Sequence, residues 1–179
     1  AITMSGLTSS DKIYDGTTNA TVAGTASLQS AISVGTGSTS DGKPYDVDSV
    51  SITGTAVGNF NDKDVSDATT VVFSGLSLTG TGSGNYSLTD HADASHTISA
   101  KAITMSGLTS SDKIYDGTTS APVAGTASLQ SAISAGTGST SDGKPYDVDS
   151  VSITGTAVGT FNDKDVSDAT TVAFSGLSL

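Results

Sequence analysis

Asp46-Val47-Asp48 carries two carboxylates two residues apart, while Asn61, Asp62, Asp64 and Asp67 crowd a single stretch and Asp11 and Asp15 flank Lys12-Ile13-Tyr14. Hard oxygen donors clustered in this way suit Ca2+, which takes roughly six to eight of them. Asp11, Asp15, Asp46, Asp48, Asp62, Asp64 and Asp67 are therefore the candidate calcium ligands, with Asp46 and Asp48 expected on one face of a strand. Their spacing is not that of an EF-hand, which closes on a bidentate Glu that this chain lacks, nor that of a glycine-rich nonapeptide repeat. The competing reading is turn chemistry, because a short Asp side chain bonds to nearby backbone and favours turns and caps.

Other chemistry is thinner. His91 and His96, with Asp90 and Asp93, form a zinc-type donor set on a stretch without a visible scaffold, and read better as a solvated loop. There is no Cys, hence no disulfide and no thiolate nucleophile. Gly35-Thr36-Gly37 and Gly80-Thr81-Gly82 lack the strand-then-helix setting of a phosphate loop. The expectation is a protein that is not an enzyme and has no certain cofactor, Ca2+ being the one candidate.

These residues recur. Ala1 to Leu78 aligns with Ala102 to Leu179 at an offset of 101, and the copies differ only at Asn19/Ser120, Thr21/Pro122, Val34/Ala135, Asn59/Thr160 and Val72/Ala173. A repeat of about 100 residues has the size of a domain and not of a solenoid unit. The division expected is residues 1–101 for a first repeat and 102–179 for a second, C-terminally incomplete copy. The second copy as given lacks both histidines, so only the first unit could carry a Ser-His-Asp triad, and none is expected.

Composition narrows the class. All eighteen acidic residues are Asp and all seven basic residues are Lys, giving a formal charge of −11. With no Arg and no basic patch, neither nucleic acid nor an anionic membrane is an expected partner. No apolar run is long enough to span a bilayer. Ile, Leu, Val and Phe supply only about a fifth of the chain, near the level at which a charged chain stays disordered, so their placement has to carry the case for folding.

That placement is strand-like, with Gly, Ser, Thr and Asp punctuating the chain at short intervals. Strands are expected at Ile2-Leu7 and Lys12-Tyr14, the latter closed by the turn-forming pair Asp15-Gly16. Val50 and Ile52 alternate with polar neighbours, and Ala56, Gly58 and Phe60 continue the pattern. In Thr70-Leu78 the inward frame passes from Val71 and Phe73 to Leu76 and Leu78, a slip at Ser74-Gly75 that predicts a β-bulge. Further strands are expected at Asn85-Leu88 and Thr97-Ala100, the last running through Lys101 into the second copy and predicting a semi-rigid rod. Leu28, Ala31 and Ile32 lie at helical spacing, which predicts a short helix over 26–32. The favoured fold is all-β, tandem immunoglobulin-like sandwiches of about seven to nine short strands per unit. β-grasp-like units with one short helix are the alternative.

Lys12, Tyr14, Asp15, Gly16, Thr17 and Thr18, then Gly54, Ala56, Gly58, Phe60, Asp62, Lys63 and Val65, then Gly75, Leu76, Leu78, Gly80 and Gly84-Asn85-Tyr86, together resemble the YDG repeat of large bacterial surface and secreted adhesin-like proteins. Ser66 and Thr70 depart from that pattern, where Gly and Lys are expected. The resemblance implies an extracellular or cell-surface module of stalk or adhesin type, with no assigned catalytic residues and no known ligand.

Three functional expectations follow. The first is a structural segment, a stalk, fibre or matrix spacer whose partners are neighbouring repeats of the same chain. The second is an adhesive module for a host glycan, protein or other surface, for which only Tyr45 and Tyr86 look available as exposed aromatics. The third is a strand-donating subunit of a filament, partnered by like subunits.

Overall fold

The structure is a computed structural model describing residues 1–179. The chain divides into two units, Ala1–Ala100 and Lys101–Leu179.

The first unit contains nine strands, β1 (Ile2–Thr8), β2 (Lys12–Ile13), β3 (Asn19–Ala20), β4 (Ala23–Leu28), β5 (Ser51–Phe60), β6 (Thr70–Thr79), β7 (Leu88–Thr89), β8 (Ala94–Ser95) and β9 (Ile98–Ser99). They form a sheet ordered β4-β1-β7, a sheet ordered β3-β5-β6-β8, and the pair β2-β9. Strand β1 runs antiparallel to β4 and parallel to β7, whereas β5 and β6 form a long antiparallel hairpin. The second unit holds β10 (Met105–Thr109), β11 (Ser120–Ala121), β12 (Ala124–Leu129), β13 (Thr154–Phe161) and β14 (Val172–Ser178), in sheets β10-β12 and β11-β13-β14.

The all-β expectation holds, and the helix expected over 26–32 does not form. Leu28 ends strand β4 and Ile32 makes an isolated bridge to Tyr45. Pairing of β4 with β1 gives Ala26 and Leu28 a buried side at a period of two, and that tertiary gain outweighs a weak local helical spacing. The only helical turn is a single 3-10 turn at Ser83–Asn85.

Both sheets of the first unit feed one apolar cluster. Leu7 from β1, Phe60 from β5, Val71 and Phe73 from β6 and Ile98 from β9 are buried with Ala68, and Ala26, Ala56 and Leu76 pack against them. Each large side chain removed from water in this way contributes about 1.5–3 kcal/mol before conformational entropy is counted.

The inward frame depends on a bulge that occurs twice per unit. In β1 the buried residues are Ile2, Met4 and then Leu7, so the alternation slips at Gly6. Across from it, Ser5 pairs with Ser27 and Leu7 with Gly24, leaving Gly6 opposite Thr25-Ala26. In the β5–β6 hairpin, Ser74 pairs with Val57 and Leu76 with Gly54, leaving Gly75 opposite Thr55-Ala56. Ser-Gly-Leu thus faces Gly-Thr-Ala in both places, and each pairing turns its Leu and Ala toward the core. The geometry needs glycine. Gly75 has φ +83°, and a Cβ there would lie 2.3 Å from the Thr55 carbonyl oxygen. The module recurs in the second unit as Ser106-Gly107-Leu108 with Gly125-Thr126-Ala127, and as Ser175-Gly176-Leu177 with Gly155-Thr156-Ala157.

Candidate functional site

The signature stretch folds into a knot around the Lys12 ammonium. Strand β2 ends at Ile13, and Gly16, at φ +79°, turns the chain so that the Asp15 carboxylate accepts the Thr17 N–H and the Thr17 hydroxyl, each at 2.9 Å. Lys12 Nζ reaches into this turn, 2.7 Å from Asp15 Oδ1, 2.7 Å from the Thr17 carbonyl, 3.2 Å from Thr17 Oγ1 and 2.9 Å from the Asn19 carbonyl. It also lies 5.6 Å from the centroid of the Phe60 ring. An ammonium offers three protons, so these acceptors consume its whole donor capacity. Partial burial works to raise the Asp15 pKa, but the bonds from Lys12 and Thr17 outweigh it and hold the carboxyl below its ordinary value. The second unit repeats the arrangement, with Lys113 Nζ 2.7 Å from Asp116 Oδ1 and 2.9 Å from the Thr118 carbonyl and hydroxyl. There the bond from Lys113, together with those from Thr118, brings the Asp116 pKa down to about 2.

The seven candidate calcium ligands are dispersed, and no three His or Asp side chains converge to hold a metal ion. Asp11 accepts the Thr97 N–H at 2.8 Å and faces His96 Nδ1 at 3.1 Å; the backbone bond first, then His96, lowers its pKa. Asp15 is held by Lys12 and Thr17 as described. Asp46 and Asp48 occupy a turn and not the face of a strand, because Asp48 N–H bonds back to the Tyr45 carbonyl at 3.1 Å. Their carboxylates part company, Asp46 accepting from the Ser33 hydroxyl at 3.1 Å and Asp48 from the Tyr86 hydroxyl at 2.5 Å. In the 61–67 loop, Asp62 accepts the Asp64 N–H at 2.9 Å, Asp64 pairs with Lys63 at 2.5 Å and Asp67 accepts from Ser66 at 3.3 Å. That loop is organised by Asn61, whose side-chain carbonyl accepts the Thr69 and Thr70 N–H groups at 2.9 Å each while its amide donates to the Asp67 carbonyl at 2.8 Å.

Tyr86 is tied down. Its hydroxyl donates to Asp48 and accepts the Tyr45 N–H at 3.0 Å, and the Asp48 carboxylate raises the phenol pKa above its ordinary value. The histidines serve separate ends of one segment. His91 Nε2 accepts the Leu7 N–H at 3.3 Å and its ring stands edge-on to Phe73 with centroids 5.0 Å apart, while His96 meets Asp11. His91 Nδ1 lies 2.9 Å from the Ala92 carbonyl, which assigns the proton to Nδ1 and leaves Nε2 as acceptor. Neither role is legible from the sequence, where His91 stands in a polar stretch.

Lys101 belongs to the second unit, where it sits 2.8 Å from Asp142 Oδ1 and 4.0 Å from the Tyr146 ring centroid with its side chain 3% exposed. Burial works to lower the Lys101 pKa, yet Asp142 and Tyr146 raise it, and the same lysine brings Asp142 down to about 2.

The Lys12 ammonium, the Asp15 carboxylate and the Thr17 hydroxyl of the signature are thus bonded to one another and to the backbone of the same turn. No curated protein and no solved structure shows a significant match to the chain. The YDG domain profile matches residues 1–95 and again residues 99–179. On that coverage, with Tyr14-Asp15-Gly16 and Tyr115-Asp116-Gly117 at the centre of the two knots, the chain belongs to the YDG domain family.

Proposed function

We propose that the chain is a structural repeat segment, a stalk, fibre or matrix spacer, of a bacterial extracellular or cell-surface adhesin-like protein, and that it performs no catalysis. The observation that carries this reading is the closure of the Lys12–Asp15–Thr17 knot on itself in one copy and of the Lys113–Asp116–Thr118 knot in the next. A signature spent on holding its own turn suits a unit that needs only to fold and be repeated. We further read each unit as an immunoglobulin-like sandwich, since side chains from two sheets meet in one cluster. The acidic, cysteine-free composition suits a surface protein whose stability does not depend on disulfides.

Chains of two, four and six copies test the proposal by small-angle scattering and by a binding screen against glycans and matrix proteins. A spacer predicts a maximum dimension that grows linearly with copy number and no saturable binding. Saturable binding by a two-copy chain, proportional to the number of copies, would overturn the spacer reading in favour of an adhesive module.

A further inference from the structure

In the first unit the segment from Ser87 to Ser99 runs as a strap along β1, β6 and β2. Strand β7 anchors one end, with Ile2 opposite Leu88 and Ile2 N–H donating to the Ser87 carbonyl at 2.7 Å. Strand β9 anchors the other, where Lys12 N–H donates to the Thr97 carbonyl at 3.2 Å and Tyr14 N–H to the Ser99 carbonyl at 2.8 Å. The middle is held more lightly. Strand β8 supplies two residues, Ala94 and Ser95, opposite Val71 and Thr70 of β6. The pairing of β7 with β1 ends at Thr3, and farther along β1 the Leu7 N–H is accepted by a side chain, His91 Nε2, at 3.3 Å.

That tie works in one protonation state. His91 Nδ1 donates to the Ala92 carbonyl at 2.9 Å, so the neutral ring presents its lone pair at Nε2. A second proton goes onto Nε2 and sets one N–H against another, leaving the Leu7 N–H without an acceptor. The ring is not free to turn aside, because it packs against the fully buried Phe73 with centroids 5.0 Å apart and planes at 71°. The elements packed against it offer no counter-charge, since β1, β4, β5 and β6 contain no titratable side chain. On the strap itself Asp90 and Asp93 are exposed, and exposed charges attract weakly. The remaining charged and titratable groups nearby are engaged elsewhere, Lys12 with Asp15, Tyr86 with Asp48 and Asp11 with His96 and the Thr97 N–H. His96 has the opposite sign, because a proton there strengthens its bond to Asp11 and pins the β9 end; with Asp11 68% exposed, that pair contributes little.

We propose that His91 makes the strap acid-labile: protonation of its ring releases residues 90–95 from β1 and β6 while β7 and β9 stay paired. The closed strap has no place for a proton on Nε2 and the open one has, so the open form binds more protons and gains population as pH falls. What acid uncovers is the Leu7 backbone and the face of Phe73 against which the ring packs. The inference goes beyond the spacer reading and does not depend on it.

The test is NMR of the 179-residue chain from about pH 7.5 to about pH 5, the span in which imidazoles gain their charge, with ring nitrogen shifts and amide exchange followed together. At the upper end the His91 ring is expected to carry its proton on Nδ1. On acidification the protection of the Leu7 amide is expected to fall by about tenfold in step with the charging of His91, while Ile2 and Tyr14 keep theirs. His91→Gln, whose side-chain carbonyl accepts the same N–H without titrating, is expected to keep Leu7 protected throughout, and His96→Gln to leave the acid response of Leu7 in place. The wild-type readings decide the matter even if a variant does not fold. The proposal is overturned if Leu7 stays protected while His91 charges, if the neutral ring carries its proton on Nε2, or if His91→Gln keeps the same acid response. Loss of protection at Ile2 and Tyr14 together with Leu7 also overturns it, since that is unfolding of the unit and not release of the strap.

Discussion

Replacing Lys12 with Met keeps the apolar stem near the Phe60 ring and deletes the ammonium. What is lost follows from the geometry. Asp15 retains the Thr17 N–H and hydroxyl but loses its cation, and the Thr17 and Asn19 carbonyls lose a donor at 2.7 and 2.9 Å. Charge-assisted bonds contribute about 1.5–3 kcal/mol each when dry. With side-chain exposures of 17% for Lys12 and 28% for Asp15, solvent screens part of that, and the three contacts together come to about 3 kcal/mol after discounting. For a unit of this size such a loss lowers the melting temperature by about 12–24 °C. The assay is differential scanning calorimetry at neutral pH, with hydrogen exchange assigning the shifted transition to the first unit.

An acid series separates the ion pair from the carbonyl bonds. The Asp15 pKa is depressed in the folded state, so its contribution is present above the ordinary carboxylate range and disappears as pH falls through the lowered value. The gap between wild type and Lys12→Met is therefore expected to narrow, but not close, under acid, because the carbonyl bonds do not titrate. If Lys12→Met melts within about 3 °C of wild type, the knot is an ornament of the surface and the structural account of the signature is refuted.

Other perturbations read other parts of the fold. Phe73→Ala empties a fully buried position and is expected to cost about 3–5 kcal/mol in urea unfolding, whereas Phe174→Ala, at a position already 40% exposed, costs well under half of that. Gly75→Ala forces a side chain onto the Thr55 carbonyl at positive φ and is expected to destabilise the β5–β6 hairpin by more than about 1 kcal/mol, seen as faster amide exchange across it. Asp116 and Asp142, both with folded pKa about 2, stabilise the second unit above about pH 4 and lose that contribution as pH falls toward 2; Lys101→Met, followed by acid-induced change in circular dichroism, should remove the Asp142 share of the transition. With the carboxylates dispersed and internally bonded, millimolar Ca2+ is expected to leave the melting temperature unchanged, and a saturable rise in a calcium titration would contradict that.

Much of the architecture was legible because it rests on strict alternation. Val50 to Phe60 and Thr70 to Leu78 announce a two-stranded hairpin, and the change of frame at Ser74-Gly75 announces its bulge. The equivalent bulge at Gly6 lies in the same tripeptide, Ser5-Gly6-Leu7, but a short strand offers too few alternations for the slip to stand out. The helix over 26–32 misled because three apolar residues at helical spacing are weak against a paired sheet edge. The acidic clusters are dispersed for a different reason. Sequence proximity crowds carboxylates that the backbone then turns apart, as at Asp46 and Asp48, and no local pattern states where Tyr86 or Ser33 will come to meet them. The role of Lys12 is not legible in the sequence, since a lysine three residues before an aspartate reads as an ordinary surface pair until the Thr17 and Asn19 carbonyls fold over it.

The facing Ser-Gly-Leu and Gly-Thr-Ala tripeptides bear on how such an array can evolve. Register is set inside each sheet pair by backbone shape, at Gly6 with Gly24 and at Gly54 with Gly75, and asks nothing of the outward side chains. Sequence exchanged between copies at corresponding positions would carry each lock across intact, so recombination could lengthen, shorten or shuffle the array without creating a mispaired sheet. The solvent face is then free to drift. Substitutions such as Val34/Ala135 and Val72/Ala173 are the kind of change this permits, while an exchange out of step by one residue would place a side chain where only glycine fits.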